Sequence, residues 1–542
     1  MNQTILSLLL CAATLLAGGS GLAAGNDNMP KQRTVSADLR QVGGPLNTMF
    51  KRCVGAGRAN EGLRADWQRQ LAIVHRECGF EYIRMHGLFT DDMGVYREVN
   101  GKPEYNWQYI DELFDFLQSI GMKPFVELGF MPSALASGSQ TIFWWRGNVT
   151  PPKDYAKWEA FIAAFVRHCT ERYGADEVRS WYFEVWNEPN LDGFWMGNPG
   201  KKPYEEWVPG ARAEYFKLYA TTAHAVKSVD PAYRTGGPAT AGCAWIPEFI
   251  NFCKTNDVPV DFVSTHTYGT ESGFLDETAT AGTALSKNPD SIYGEVKRSR
   301  QEIKDSAFPK LEMHFTEWSS SYTPTDPMHD SYHSAAYILD KLRKCGDSPD
   351  SMSYWTFSDI FEEPGPRWEA FHGGFGLMNY QDIKKSAYFA YQFLNRLGPT
   401  ELKCSDPSSW ICTDNDGGVE ALVWDFTYTF PAKNMINQVF YKRDLPSQPK
   451  GKVTLSVANV PKGKYTMETY KAGYRVNDPY ATYRDMGAPA QLTKAQVAEI
   501  KSKNSGAPLE TRTVEIGGDG KFEQQFDLRE NDAVMITLKP QR

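Results

Sequence analysis

A short motif, Asn187-Glu188-Pro189, places an amide and a carboxyl group directly after an apolar run. Aromatic and β-branched residues dominate positions 181–186, a pattern typical of a buried strand. Pro189 ends that strand because proline has no N–H to donate to a sheet. A carboxyl group beside indole rings is partly desolvated, which raises its pKa. The motif therefore indicates a general acid at Glu188, although a solvated glutamate at an ordinary strand end would show the same pattern.

Polar side chains also follow the other apolar runs of the chain. They are Arg84, His86, His266, Tyr268, Glu317, Trp355, Glu362 and Glu363. Singly, each has an ordinary explanation: His266 could be a core histidine, Trp355 core packing, and the last two glutamates a solvated turn. Together, they place two carboxyl groups, those of Glu188 and Glu317, among aromatic residues. Such a pair carries out glycoside hydrolysis, in which one group protonates the leaving oxygen and the other attacks the anomeric carbon or activates water.

These side chains are far apart in sequence, and a repeated strand–helix pattern predicts the fold that joins them. Strands are expected at 50–54, 82–86, 123–129, 181–187, 235–238, 261–266, 311–317 and 352–357. Helices are expected at 66–78, 106–120, 153–173, 202–229, 247–256, 292–306, 329–344 and 385–397. Eight repeats predict an α/β fold, a (β/α)8 TIM barrel, with its active site at the carboxyl ends of the strands. A doubly wound sheet would favour a Gly-rich phosphate loop after the first strand, and positions 54–58 contain Gly-x-Gly without a third glycine.

The pattern changes after Gly398 to short strands separated by turn residues. Strands are expected at 418–426, 452–457, 465–469 and 533–538, with one short helix near 493–503. This predicts a catalytic barrel over residues 50–398 and an accessory C-terminal β-sandwich domain over 399–542. Residues 25–49 are polar and extended in character, and we expect this N-terminal extension to join the β-sandwich.

The amino terminus has the character of an export signal. An apolar run at 5–16 is followed by small residues up to Ala24, which predicts a cleaved signal peptide over residues 1–24, although no Lys or Arg precedes the run. We therefore expect a periplasmic or secreted protein. No later stretch has about 20 apolar residues, so no transmembrane helix is expected. The net charge of −8 and the lack of a long basic run argue against nucleic acid or an anionic membrane as partner.

The chain contains 9 cysteines, and their spacing matches no zinc site. Cys404 and Cys412 are close enough to close a small loop by a disulfide in an oxidising compartment, and the sequence leaves open whether they do. The other cysteines of the mature chain are expected to be buried thiols. The sequence signals no metal or organic cofactor, and it does not fix the oligomeric state.

The residues around the two carboxyl groups resemble those of a known enzyme family. Positions 183–191, Phe-Glu-Val-Trp-Asn-Glu-Pro-Asn-Leu, are similar to the acid/base motif of glycoside hydrolase family 39, and positions 314–318, His-Phe-Thr-Glu-Trp, are similar to its nucleophile motif. Further similar stretches follow in the same order, at 53–55, 85–88, 129–132, 147–152, 260–264, 329–330, 354–359 and 372–377. Within that family, the chain resembles the β-xylosidases.

This resemblance implies a retaining glycosidase on a barrel with an accessory β-sandwich. It makes Glu188 the acid/base and Glu317 the nucleophile. The substrate-binding residues that it implies are His86, Asn187, His266, Tyr268, Trp355 and Glu363. Asn187 would bind the sugar 2-hydroxyl, and Trp355 would form the floor of the site. The implied activity is an exo-acting β-xylosidase that releases xylose from xylo-oligosaccharides without a metal or cofactor.

Two other interpretations stay open at the level of sequence. The same chemistry could act on an α-L-iduronide, an α-L-arabinopyranoside or an exopolysaccharide. An iduronidase would need cations for the sugar carboxylate; Arg58, Arg84 and Arg367 could supply them, or each could pair with an acidic side chain. The second alternative is a sugar-binding protein without catalytic activity, which the presence of both glutamates disfavours.

Overall fold

The computed structural model describes residues 32–198, 200–272, 282–414, 416–429 and 435–541. The signal peptide expected at 1–24 lies outside these residues. The described chain forms a closed barrel of parallel strands, one large antiparallel sheet and one smaller mixed sheet, which confirms the predicted fold class. Within the described residues, we find no helix long and apolar enough to cross a bilayer.

Eight strands close the barrel in sequence order. They are β1 (Cys53–Arg58), β2 (Tyr82–His86), β3 (Lys123–Leu128), β4 (Tyr182–Val185), β5 (Arg234–Thr240), β6 (Phe262–Tyr268), β7 (Glu312–Ser319) and β8 (Ser351–Tyr354). Each predicted strand overlaps one of these strands. Because all eight run parallel, their carboxyl ends meet at one mouth, and the side chains that follow them can converge there.

The first strand is displaced from its predicted position. The sequence favoured 50–54, but Met49–Lys51 is a 3-10 helix and β1 continues to Arg58. Gly55 and Gly57 are weak strand formers, so a prediction based on residue propensity ends the strand too early. Glycine is required at both positions because neighbouring side chains come close to the backbone. A Cβ on Gly55 would lie 2.4 Å from Trp355 Cε3, and one on Gly57 would lie 2.6 Å from Glu61 Oε2.

Helices connect the strands around the outside of the barrel. The main ones are Ala65–Cys78, Gln108–Ser119, Tyr155–Tyr173, Tyr204–Val229, Ile246–Thr255, Ser291–Lys304, His333–Cys345 and Ser386–Leu394. Local signals set several of their ends. Asp154 accepts hydrogen bonds from the N–H groups of Ala156 and Lys157 at the start of one helix, and Gly174 ends the same helix.

The accessory region is a sandwich of two sheets. The larger sheet has the strand order Val42–Pro45, Thr400–Leu402, Ser409–Thr413, Val419–Trp424, Ala533–Pro540, Gly463–Ala472, Glu510–Ile516. The smaller sheet has the order Arg33–Asp38, Pro449–Ala458, Phe522–Arg529. Two strands of the expected N-terminal extension therefore pair with strands from the C-terminal part of the chain. Two short helices, Pro479–Asp485 and Lys494–Lys503, also belong to this part of the chain.

The two faces of the larger sheet have different partners. Ile411 and Val423 belong to the core between the sheets, whereas Trp410 and Trp424 belong to the core shared with the barrel. The Trp410 ring lies 6.2 Å from that of Phe50, between centroids. Alternation along the strands thus joins the accessory region to the barrel through apolar contacts.

Eight cysteines lie among the described residues, and all are free thiols. Cys412 is buried in its strand, and Cys404 Sγ lies 3.5 Å from Ser409 Oγ. The disulfide that the sequence left open between Cys404 and Cys412 is not formed.

Candidate active site

Glu188 follows β4, where the backbone leaves the strand through two unusual residues. Trp186 and Glu188 have φ angles of 71° and 45°, in the left-handed region that residues with side chains seldom adopt. Trp186 Nε1 donates to the Phe194 carbonyl at 2.8 Å, and the Glu188 N–H donates to the Ala239 carbonyl at 2.8 Å. These bonds hold a strained backbone in place and so fix the Glu188 carboxyl group at the mouth.

The two predicted carboxyl groups meet across the mouth beside a histidine. His266 Nδ1, on β6, lies 2.8 Å from Glu188 Oε1 and 3.5 Å from Glu317 Oε2, on β7. One ligand atom from each of the three side chains lies within 4.8 Å of the others. Retaining glycosidases hold their carboxyl groups about 5–5.5 Å apart, whereas inverting enzymes need about 6.5–9.5 Å to admit water between them. The spacing here fits direct attack by one carboxylate.

Enclosure keeps a substantial fraction of Glu188 protonated at neutral pH. Burial raises its pKa to about 7, against the opposing influence of His86 and Arg84. Burial also lowers the pKa of His266 to about 4, so its ring is neutral at pH 7. A neutral imidazole bonded to Glu188 leaves the proton with the carboxyl group, which is the state that a general acid needs.

Arg84 lies beneath the mouth and binds the carboxyl groups there. Its guanidinium donates to Glu317 Oε1 at 2.6 Å, to Glu184 Oε2 at 2.6 Å and to Asn187 Oδ1 at 2.9 Å, and it contacts Glu127 Oε2 at 2.9 Å. Burial opposes its charge, but the surrounding carboxylates outweigh burial and raise its pKa further. Arg84 is fully buried, so it positions Glu317 and Asn187 and is unavailable to a substrate.

A second donor fixes the other oxygen of Glu317. Tyr268 donates its hydroxyl hydrogen to Glu317 Oε2 at 2.6 Å, while Arg84 holds Oε1 at 2.6 Å. The carboxylate plane is thereby set from both sides, with one oxygen turned towards the Glu188 side of the site. Sequence predicted Tyr268 as a substrate-binding residue, and the structure places it in direct contact with Glu317.

His86 lies on the opposite side of the site from His266. Its Nδ1 is 2.7 Å from Glu127 Oε2, and its Nε2 is 3.5 Å from both Glu317 Oε1 and Glu363 Oε1. Burial, followed by the charge of Arg84, lowers the pKa of His86 to about 3, so the ring is neutral. Glu127 therefore orients His86 and leaves Nε2 facing the two carboxyl groups at the mouth.

Glu363 and Trp355 complete the predicted set after β8. Burial raises the pKa of Glu363 well above its usual value, and the neighbouring Glu317 adds to that shift. The Trp355 ring lies 4.8 Å from that of His86, between centroids, and 5.7 Å from the Arg84 guanidinium carbon. The missing side chain at Gly55 makes room for this indole. Trp355 thus covers the centre of the barrel, as a floor would.

A buried ion-pair network supports the floor from behind. Lys385 Nζ lies 2.6 Å from Asp330 Oδ1 and 2.7 Å from Asp359 Oδ2, and all three side chains are fully buried. The other oxygens of the two aspartates accept the N–H groups of Gly373, at 2.6 Å, and Gly376, at 2.7 Å. The segment between these glycines carries Phe375, which belongs to the same apolar cluster as Trp355. The network therefore fixes the loop that packs beside the floor.

Several groups of the site could not be identified from the sequence. Glu127 and Glu184 lie inside buried strands, and their signal is an ionisable residue within an apolar run. Thr316 donates to the second oxygen of Glu184 at 2.8 Å. Phe130 and Phe143 stack near His86, with ring centroids 5.9 and 6.0 Å away. Aromatic residues are too common in this chain for their position on the wall to be read from sequence.

Most of the arginines that could bind an acidic sugar already pair with acidic side chains of the protein. Arg58 binds Asp92, and it donates to Glu362 Oε2 at 2.8 Å. Arg84 is bound by buried carboxylates, as described. Arg367 is half-buried, and its Nη2 has no hydrogen-bond partner among the described residues. Two of the three arginines are therefore committed to acidic side chains of the protein itself.

The cluster of Glu188, His266 and Glu317 also has the donor types and spacing to hold a metal ion. However, Glu317 already receives a guanidinium N–H on one oxygen and a phenol O–H on the other. Those donors meet the needs of the carboxylate without a cation. The arrangement is suited to proton transfer and nucleophilic attack.

Comparison with known proteins gives one consistent result. The family profile described as "Glycosyl hydrolases family 39" matches residues 34–521. A beta-xylosidase of Geobacillus stearothermophilus is 39% identical over 500 residues, which are 91% of this chain and 93% of that protein. The crystal structure of a GH39 enzyme from Xanthomonas axonopodis pv. citri is similar, with a TM-score of 0.89 and 44% identity over 96% of this chain and 100% of that one. A monomeric beta-xylosidase from Caulobacter crescentus CB15 gives a TM-score of 0.88 and 43% identity over 94% and 100% of the two chains.

Proposed function

Because the chain belongs to glycosyl hydrolase family 39, we propose that it is a retaining, exo-acting β-xylosidase that releases xylose from xylo-oligosaccharides. The observation that carries the retaining mechanism is the approach of Glu188 and Glu317 to within 4.8 Å. The substrate assignment is supported by relatives named as beta-xylosidases that align over nine-tenths of the chain.

In the first step, Glu188 gives its proton to the oxygen of the leaving group. At the same time, Glu317 attacks the anomeric carbon, the glycosidic C–O bond breaks, and a glycosyl ester forms on Glu317. Asn187, held by Arg84 at 2.9 Å, is placed to bind the sugar 2-hydroxyl beside the nucleophile. His86 and Glu363 bind the remaining hydroxyls, and Trp355 lies under the ring.

In the second step, Glu188 acts as a base. The ester bond removes the negative charge of Glu317, so the pKa of Glu188 falls and the group is ionised when water arrives. Glu188 takes a proton from that water, the water oxygen bonds to the anomeric carbon, and the ester bond to Glu317 breaks. The product keeps the β configuration, and both glutamates return to their starting states.

The charge of the site favours a neutral sugar. The positive charge of Arg84 lies beneath the mouth among buried acidic side chains, and Arg58 is paired with Asp92 and Glu362. The carboxylate of a uronic acid would therefore find neither guanidinium free to pair with. This arrangement supports a xyloside over an iduronide.

The expected signal peptide indicates where in the cell this activity takes place. We propose that the protein acts in the periplasm or outside the cell, where it degrades short products of xylan breakdown. A fusion of residues 1–30 to a reporter enzyme, followed by cell fractionation, tests this part. Retention of the reporter in the cytoplasm would contradict it.

Rates on aryl glycosides test the proposed function. We expect the β-D-xyloside to be hydrolysed faster than the α-L-arabinopyranoside, the α-L-iduronide and the β-D-glucoside. Proton NMR during the reaction should show β-xylose as the first product, before mutarotation. A faster rate on the iduronide would overturn the substrate, and α-xylose as the first product would overturn the retaining mechanism. Activity on none of the four would favour an exopolysaccharide substrate or a binding protein.

A further inference from the structure

A short hairpin forms part of the wall of the site and turns one indole outwards. Its strands Thr141–Ile142 and Gly147–Asn148 pair antiparallel, and Phe143 and Arg146 between them have left-handed φ angles of 65° and 57°. Phe143 is buried and stacks near His86 at the site. The next residue, Trp144, is 58% exposed. Consecutive side chains therefore lie on the inside and on the outer edge of the same wall.

Trp144 is attached to the segment that carries Glu363. Its backbone N–H donates to the Glu363 carbonyl at 2.7 Å. Its indole lies over Gly365, where a Cβ would come within 3.2 Å of the Cγ and Cδ1 atoms of the indole. Gly365 has a φ of 82°, a conformation that also favours glycine. The position of this indole is thus set by two contacts to the loop that borders the site.

The exposure of Trp144 has no explanation in packing. An indole removed from water would stabilise the fold, and the apolar cores of the barrel and the accessory region contain many aromatic side chains. An aromatic face held at the edge of a pocket is instead typical of a surface that receives a ligand. The part of the substrate that extends out of the site is the ligand that can reach the Trp144 indole.

We propose that Trp144 forms an acceptor-side subsite, on which the xylosyl unit next to the scissile bond stacks. The inference rests on the proposed exo-action. The groups that bind and cleave the terminal sugar are buried, so the substrate enters with its non-reducing end first and the rest of the chain passes over the rim. Trp144 lies on that rim, one residue from Phe143 and bonded to Glu363. Its ring offers an apolar face to the C–H face of a xylose residue.

The experiment compares substrates with and without an occupant for this subsite. In β-xylosyl fluoride the leaving group is a single fluoride ion, whereas xylotriose places two further sugars outside the cleavage point. We expect Trp144→Ala to lower kcat/KM for xylotriose about five- to twentyfold, the effect of losing one stacked apolar contact. The same variant should stay within about twofold of the wild type on β-xylosyl fluoride, since the reacting groups are untouched. Trp144→Phe, which keeps a flat apolar ring, should retain most of the xylotriose rate.

Tyr109 provides a matched control, because it is 49% exposed on the outer helix Gln108–Ser119. Tyr109→Ala should change neither rate. Equal losses on both substrates in Trp144→Ala would overturn the proposal, because they would show a displaced hairpin. Unchanged rates on both substrates would overturn it as well. If the wild type itself hydrolyses neither substrate, the proposed xylosidase activity fails, whatever Trp144 does.

Discussion

Replacing Glu188 with alanine removes its acidic proton and should abolish the basic limb of the pH profile. The rate on a substrate whose leaving group needs no proton should stay largely unchanged. Burial raises the pKa of this group to about 7 from its usual 4.5, a stabilisation of the neutral form of about 3 kcal/mol. At pH 6 about nine-tenths of the enzyme therefore holds the proton, against about 3% for an unshifted glutamate. Above pH 7 the wild-type rate on a poor leaving group should fall about tenfold for each pH unit.

The assay is kcat/KM between pH 4 and 9 on two xylosides. Phenyl β-xyloside has a poor leaving group, and 2,4-dinitrophenyl β-xyloside has one that departs without a proton. Glu188→Ala should lower the rate on the phenyl substrate about 10²- to 10⁴-fold, the usual contribution of a general acid. It should change kcat/KM on the dinitrophenyl substrate by less than about tenfold, because that constant reports only the first step.

Two results would refute this reasoning. A basic limb near pH 7 that persists in Glu188→Ala would assign that limb to another group. Equal losses on the phenyl and dinitrophenyl substrates would mean that Glu188 supports the site by its shape and not by its proton. Glu188→Gln is the matched control, since it keeps the volume and the contact with His266 but has no acidic proton.

Three further predictions concern the nucleophile, the floor and its support. Glu317→Ala should lose activity that azide partly restores as an azide product of inverted configuration, visible by NMR; an unaffected rate would remove Glu317 as the nucleophile. Gly55→Ala should raise KM and destabilise the fold by about 1–3 kcal/mol, because its Cβ would meet the Trp355 ring at 2.4 Å; unchanged KM and Tm would show that the indole can move aside freely. Lys385→Met should destabilise the protein by about 3–5 kcal/mol in urea unfolding, because it leaves two buried carboxylates unpaired; a loss below about 1 kcal/mol would mean that one aspartate is protonated.

The barrel could be predicted because its signals are local and repeated. Each strand is a short apolar run, and each helix has an apolar face with recognisable ends, so period and spacing are enough. The accessory strands were harder. Glu510–Ile516 lies at a sheet edge with most of its length exposed, which removes the apolar pattern that marks a strand. The helix Pro479–Asp485 was missed although Asp478 caps it and proline occupies its first position.

The meeting of the two carboxyl groups at the mouth could also be predicted, but their supporting contacts could not. Glu188 and Glu317 follow strands and carry distinctive neighbours, and the structure brings them within reach of each other. Arg84 was noted at the end of its strand, but whether it faces substrate or acidic side chains depends on Glu127 and Glu184, more than 40 residues away in sequence. Such contacts are set by the closure of the barrel, which no local pattern encodes.

The pairing of the two ends of the chain constrains the order in which this protein can fold. Strand Arg33–Asp38 pairs with Pro449–Ala458, and the side chain of Gln32 donates to Thr454, 422 residues further along the chain. During synthesis the barrel can close before residues 449–458 have been made. Strand Arg33–Asp38 therefore has no pairing partner for most of the translation time. Contacts of such long sequence separation form slowly. The accessory region should therefore assemble last, and a chain that terminates early would carry a complete barrel beside an exposed, association-prone strand.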